Sequence, residues 1–363
     1  MIELLSPALK ARAQAVKTKW DGFVPKIDAR VQEVLAEADA GLDELIALHG
    51  NDPGPMGAAF SALQVRFRGL GQKLDEAWEK IDGELDQVRD DADSARDHEA
   101  LGHLWAELRA SYAQAKERID LAYEGIYTRK NAAWGRALWS QAQRDSQQPV
   151  ACVKCGAAIQ QTVFHQSSNL TCAHCGAVNQ LHPGMAAGLL FQGQGLHALA
   201  HEQAWNEWLA MHRAEQAYNG HRVPITRDRD ALLAAARAYW TRYYVAFQQM
   251  HPGFAEAFGS VQQAVDARLA QHSAWDAPVE VQRRAQYQAV VDAAATGDRG
   301  AIQRAVAGAD LDDAVRCVFE HGDARGTMIL LELQHRAEQE DEPLVRWSGE
   351  QIARMSRDLR ARA

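Results

Sequence analysis

From Leu63 to Val88 the apolar residues Leu63, Phe67, Leu70, Leu74, Trp78, Ile81, Leu85 and Val88 follow one another in steps of three or four. A second series keeps the same steps: Leu101, Leu104, Leu108, Tyr112, Ala115, Ile119, Ala122 and Ile126. A strand would alternate with period two, whereas this spacing lays the side chains along one stripe of an α-helix. A stripe that long must be covered by another helix. Between the seams, residues 90–97 are acidic and poor in apolar side chains. That segment reads either as a turn folding the seams into an antiparallel hairpin or as the exposed face of one continuous helix. The hairpin is the expectation. The ligand spacing of a calcium loop is missing.

Upstream, Ser6-Pro7 has the form of an N-cap followed by proline in the first helical turn. Pro25 is read as the start of a second helical run reaching about His49, and Gly50 to Pro55 as a tight connection. The result is a coiled-coil-like helical domain over residues 1–146. Only 10 prolines in 363 residues suit a mainly helical chain, and 24% charged with 47% hydrophobic residues is ordinary for a globular protein. A net charge of −9 argues against general attraction to nucleic acid or anionic lipid. No stretch of about 18 apolar residues offers a membrane span. The opening residues lack the basic-then-apolar pattern of a secretory leader, so a cytoplasmic protein is expected.

Charge then almost disappears. From Ser146 to His201, 56 residues, Lys154 is the only formally charged side chain. Within this stretch lie Cys152-Val153-Lys154-Cys155-Gly156 and Cys172-Ala173-His174-Cys175-Gly176, with sixteen residues between the pairs. Each pair puts two thiolates on one tight turn, and the following glycine lets the backbone curl with its amides toward sulfur. Four thiolates can close a tetrahedral shell around Zn²⁺. Two disulfides and a rubredoxin-type iron site use the same residues; a cytoplasmic setting disfavours the disulfides. A redox C-x-x-C would need a βαβ context, which is absent. Ile159 to Phe164 suits a short strand and Gln166 to Asn169 a turn.

Over about residues 150–182 the chain resembles the zinc-ribbon family. The resemblance implies a β-hairpin stapled by structural zinc, with Cys152, Cys155, Cys172 and Cys175 as ligands. Ribbons that bind nucleic acid use Lys and Arg on phosphates, and this one has Lys154 alone. The neutral segment from Met185 to Phe191 suits burial against protein.

Helical spacing returns after Glu202, with Trp205, Trp208, Leu209 and His212, then an aromatic-rich helix over Leu232 to Met250 ended by Pro252-Gly253. Farther on, two apolar helices each end in Gly-Asp, at Gly297-Asp298 and Gly322-Asp323, suggesting two stacked helical hairpins. The expected division is 1–146 helical, 147–182 ribbon, 183–280 helical and 281–363 short hairpins.

Seven of the 14 histidines fall between His165 and His221. His197 and His201, at i and i+4 on one helical face, could share a metal, with His212 or Glu202 as a further ligand. The H-E-x-x-H zinc motif is not met, and the E-x-x-H of di-iron bundles has one copy, Glu332 to His335. No phosphate loop, dinucleotide fingerprint or nucleophile elbow is present. Cys317, within an apolar helix, reads as a core residue. The basic edge of Arg354, Arg357, Arg360 and Arg362 reads as a solvated helix end.

The expected fold is mainly α, with a small Cys₄ β-hairpin insert between helical domains. The expected role is a non-catalytic zinc-binding adaptor or scaffold that contacts other proteins or a second copy of itself. An enzyme with its site between the helical domains, using a second metal at His197 and His201, is the alternative. A ribbon protein that binds nucleic acid comes third.

Overall fold

The computed structural model describes residues 2–50, 52–161, 165–273, 276–296, 298–307 and 309–322, with 352, 355–357 and 359. The chain divides into two compact units, Met1–Glu202 and Gln203–Ala363.

Three long helices build the first unit: α1 (Pro7–His49), α2 (Pro53–Asp90) and α3 (Ala95–Ser146). Every residue of the Leu63 to Val88 seam is buried on α2, and the second seam is buried on α3 save Ala122, which is partly covered. From α1 the same core receives Leu9, Val16, Trp20, Ile27, Val31 and Leu42. The acidic segment is a turn. Ser94 caps α3 by accepting the Asp97 N–H at 3.0 Å, and the Asp97 carboxylate accepts the Ser6 N–H at 3.0 Å, so one short segment serves two helix starts.

Cross-helix contacts fix the directions. Lys17 meets Glu107 at 2.6 Å, Asp28 meets Arg118 at 2.9 Å and Trp134 donates to the Gly50 carbonyl at 2.6 Å, so α1 and α3 run parallel. Lys19 meets Glu84 at 2.6 Å and Arg66 pairs with Glu37, so α2 runs against α1. Lys130, only 6% exposed, reaches Asp39 at 3.0 Å and Asp43 at 2.8 Å, two carboxylates one turn apart on α1. At the centre Trp20 is fully buried, donates to Ser111 at 3.0 Å and meets Trp78 edge-on with centroids 5.5 Å apart.

Pro25 corrects one expectation. It does not start a helix but lies inside α1, which continues through it. Proline there removes one ladder bond, to the Asp21 carbonyl. Both residues are exposed, so water can take that carbonyl, while Trp20 and Ile27 remain buried on either side.

Past Trp134, α3 continues toward four short strands: β1 (Val150–Ala151), β2 (Ala158–Ile159), β3 (Ser168–Thr171) and β4 (Val178–Leu181). They form two antiparallel pairs, β1 with β2 and β3 with β4. This differs from a hairpin spanning the two cysteine pairs. Each C-x-x-C sits at the turn of its own hairpin, because the tight turn that gathers two thiols also reverses the chain. Of the strand expected over Ile159 to Phe164 only Ile159 is in a strand; Thr162 to Phe164 lie outside the described residues. Ser168 and Asn169, expected in a turn, begin β3.

The helices α4 (Met185–Phe191) and α5 (Gly195–Gln203) follow, α4 packing on α3. A Cβ on Gly135 of α3 would stand 2.8 Å from the Gly195 carbonyl oxygen, so only glycine allows this approach of α3 to the start of α5.

The second unit holds α6 (Trp205–Gly220), α7 (Thr226–Met250), α8 (Phe254–Phe258), α9 (Val261–Ser273), α10 (Pro278–Thr296), α11 (Arg299–Val306) and α12 (Leu311–His321). Tyr244, Phe247, Phe254 and Phe258 cluster where α7 meets α8, with centroids 5.2–6.2 Å apart. A separate core joins Val223 and Ile225 to Val290, Ile302, Val315, Val318, Ile352 and Leu359. Helix α10 packs on both α11 and α12. The expected partner of α12 in a second hairpin lies outside the described residues, as do Glu332, His335, Arg354, Arg360 and Arg362; Arg357 is exposed. No described helix is long and apolar enough to cross a membrane.

Candidate metal centre

The two cysteine turns repeat one construction. Cys152 donates its N–H to the Ala157 carbonyl at 2.8 Å, and Gly156 donates to Cys152 at 2.9 Å. Cys172 and Gly176 repeat both bonds, to Ala177 and Cys172, at 2.8 and 2.9 Å. The two glycines adopt φ of 73° and 70°, left-handed values that cost any residue with a Cβ about 1 kcal/mol.

These turns bring all four predicted ligands together, their sulfurs within 4.8 Å of one another. Cys152 and Cys175 sulfurs stand 3.7 Å apart, as do those of Cys155 and Cys172. A disulfide would need about 2.05 Å. Four ligands about 2.3 Å from a central ion stand about 3.8 Å apart in a tetrahedron. The four side chains, all free thiols, are therefore spaced to hold a metal ion.

Electrostatics agree with that use. Backbone N–H groups of Lys154 and Cys155 aimed at sulfur bring the Cys152 thiol down to about 6. The Ala177 N–H favours a thiolate at Cys175, but hydrogen bonding with the thiols of Cys155, Cys152 and Cys172, together with burial, raises that group to about 12. Four thiolates so close repel one another unless a cation sits among them.

Asn179 was not anticipated from the sequence. Only 2% exposed, it accepts the Val153 N–H at 2.9 Å, and its amide donates to the Ala177 carbonyl at 2.9 Å and toward Cys152 Sγ at 3.6 Å. One side chain on β4 thus links the second hairpin to the first cysteine turn. The buried interior here is small: Cys152, Ile159, Cys172 and Leu181. Gln160 ties the insert back to α3 by donating to the Ser146 carbonyl at 2.9 Å. The outer surface exposes Val153 and Val178, at 86% and 63%.

The histidines of the charge-poor stretch do not join this centre. His174 is exposed, and His182 pairs with Ser167 at 2.9 Å. His197 and His201 both lie on α5, and burial lowers the pKa of His201. Among the described residues no third His, Cys, Asp or Glu comes within ligand range of that pair. Glu202 pairs with Arg136, and His212 stacks on Trp208 with centroids 5.3 Å apart. Cys317 is fully buried, burial pushes its thiol pKa up, and its sulfur contacts the Tyr287 carbonyl at 3.6 Å, as a core residue would. No protein-family model, curated protein or solved structure matches this chain, so the chemistry of the centre rests on its own atoms.

Proposed function

We propose that the chain is a non-catalytic adaptor whose four cysteines hold one structural Zn²⁺ and whose zinc-stapled insert contacts another protein or a second copy of the chain. The observation that carries the reading is the pairing of a closed four-thiol shell with a charge-poor outer surface that exposes Val153 and Val178. Four sulfurs at tetrahedral spacing fill every position around an ion, leaving none for substrate. Zinc suits a site whose task is to hold shape, since it has no redox chemistry. Around it, Val153 and Val178 face outward and Lys154 is the single charge. A surface so poor in charge resembles the centre of a protein interface and offers little to phosphates.

Elemental analysis of the untagged chain checks the first half of the reading. Cys152→Ser or Cys172→Ser should each remove one equivalent of zinc per chain; iron in its place, or zinc retained in both variants, overturns the assignment. Val153→Asp with Val178→Asp checks the second half. The double variant should keep the metal yet lose association, read as a fall in sedimenting mass or the loss of a protein copurifying at a fixed ratio. Association that survives the two aspartates overturns the interface.

A further inference from the structure

A second convergence of metal-ligating side chains lies in the other unit. His221 follows the end of α6, Asp228 stands in the first turn of α7 and His321 is the last residue of α12. His221 Nδ1 is 3.2 Å from Asp228 Oδ2, and His321 Nε2 is 3.6 Å from the same oxygen. All three ligand atoms fall within 4.8 Å of one another. Two ligands about 2.1 Å from a metal stand about 3.0 Å apart in an octahedral arrangement and about 3.4 Å in a tetrahedral one. The two separations here, 3.2 and 3.6 Å, stand on either side of the tetrahedral value. Without an ion, His321 Nε2 donates to the Val223 carbonyl at 3.0 Å, and a metal taking that nitrogen would displace this proton.

The surroundings hold this set in place. The Glu320 carboxylate accepts the N–H groups of Arg222 and Val223 at 3.4 and 3.2 Å, fixing the turn that carries His221. Arg316 lies 3.7 Å from Glu320. Asp228 also accepts the Ile225 N–H at 3.1 Å, which pins its carboxylate at the start of α7. The two imidazoles meet edge to face with centroids 4.2 Å apart. The His321 side chain is 2% exposed and that of His221 29%, so the set is reached from the His221 side.

We propose that His221, Asp228 and His321 form a second metal site, taking a divalent first-row transition ion. Two imidazoles and a carboxylate select such ions over Ca²⁺ or Mg²⁺, which prefer oxygen alone. Unlike the four-cysteine shell, three side chains leave coordination positions open. The proposal does not depend on the zinc assignment of the cysteines.

The test is titration of the full chain, first stripped with chelator, using Zn²⁺ and then Co²⁺ as probes. Wild type should take two equivalents per chain. His221→Ala and His321→Gln should each take one, as should Cys152→Ser with Cys155→Ser, while His197→Ala with His201→Ala should still take two. With Co²⁺ the thiolate charge-transfer band should accompany one equivalent only and survive both histidine substitutions. Circular dichroism checks folding, and partly exposed His221 gives the variant least prone to misfold. Wild-type stoichiometry kept in both His221→Ala and His321→Gln overturns the proposal. Loss of metal confined to the cysteine variant would leave the zinc reading standing and remove this one; loss confined to the histidine variants would do the reverse.

Discussion

Asn179 is placed to act on the proposed metal site without being a ligand. Its amide points toward Cys152 Sγ while its oxygen holds the backbone of the same cysteine turn. Partners behind a ligand orient it and tune its basicity, commonly by 10–100-fold in affinity. Asn179→Ala should therefore weaken zinc binding by about 10-fold or more, measured by competition with a chromogenic chelator. Asn179→Asp should weaken it further by placing a negative charge beside thiolate. An unchanged affinity in the alanine variant would reduce the residue to packing. The cysteines were legible because both members of each pair act on one turn, so their spacing along the chain carries the chemistry. Asn179 was not, since its role exists only once the second hairpin lies against the first. His221 illustrates the same limit: its partners stand seven and one hundred residues farther on. The pairing of His197 with His201 is legible along the chain because helical spacing alone sets two side chains on one face.

Among the elements, the seams of α2 and α3 were readable because a long helix must bury a stripe and the stripe is periodic. The continuity of α1 was not readable, since proline usually ends or kinks a helix and nothing local says that packing on either side will hold it. Pro25 is exposed within a helix whose neighbouring turns are anchored by Trp20 and Ile27. Interior proline costs a helix about 3 kcal/mol, and its stiffening of the unfolded chain returns about 0.4–1 kcal/mol. Pro25→Ala should accordingly raise stability by about 2–2.6 kcal/mol, seen as a higher urea midpoint with unchanged slope. A lower midpoint would mean that α1 depends on a bend at this position. The glycines of the cysteine turns permit the tight turns as read, and the chain reversal within each pair makes the expected small β-hairpin insert a pair of hairpins.

Across the molecule, stability is unevenly shared. Three helices bury a continuous apolar core, the second unit has its own, and among its described residues the four-cysteine insert buries four apolar side chains and Asn179. With the metal proposed above, an interior that small would depend on it for its shape. Chelation at neutral pH should open residues 150–182 to protease and hydrogen exchange while far-ultraviolet circular dichroism stays nearly constant. Collapse of the helical signal along with the metal would show that the insert supports the bundle as well. A mainly helical architecture could be read from composition and periodicity because both report burial averaged over many residues. Which distant side chains converge could not.

The parallel pairing of α1 with α3 also sets an order of assembly. Its contacts keep a nearly constant offset: Ser6 with Asp97, Lys17 with Glu107, Trp20 with Ser111 and Asp28 with Arg118, each 90 or 91 residues apart. The contacts of α2 with each neighbour can zip outward from a short turn, whereas this seam has no turn from which to start. It closes only after the whole of α2 has been laid down between its strands of contact. In a chain emerging N-terminus first, Trp20 must wait for its hydrogen-bond partner until Ser111 has been made. Within the first unit, the long exposure to wrong partners therefore falls on α1, before its final neighbour exists.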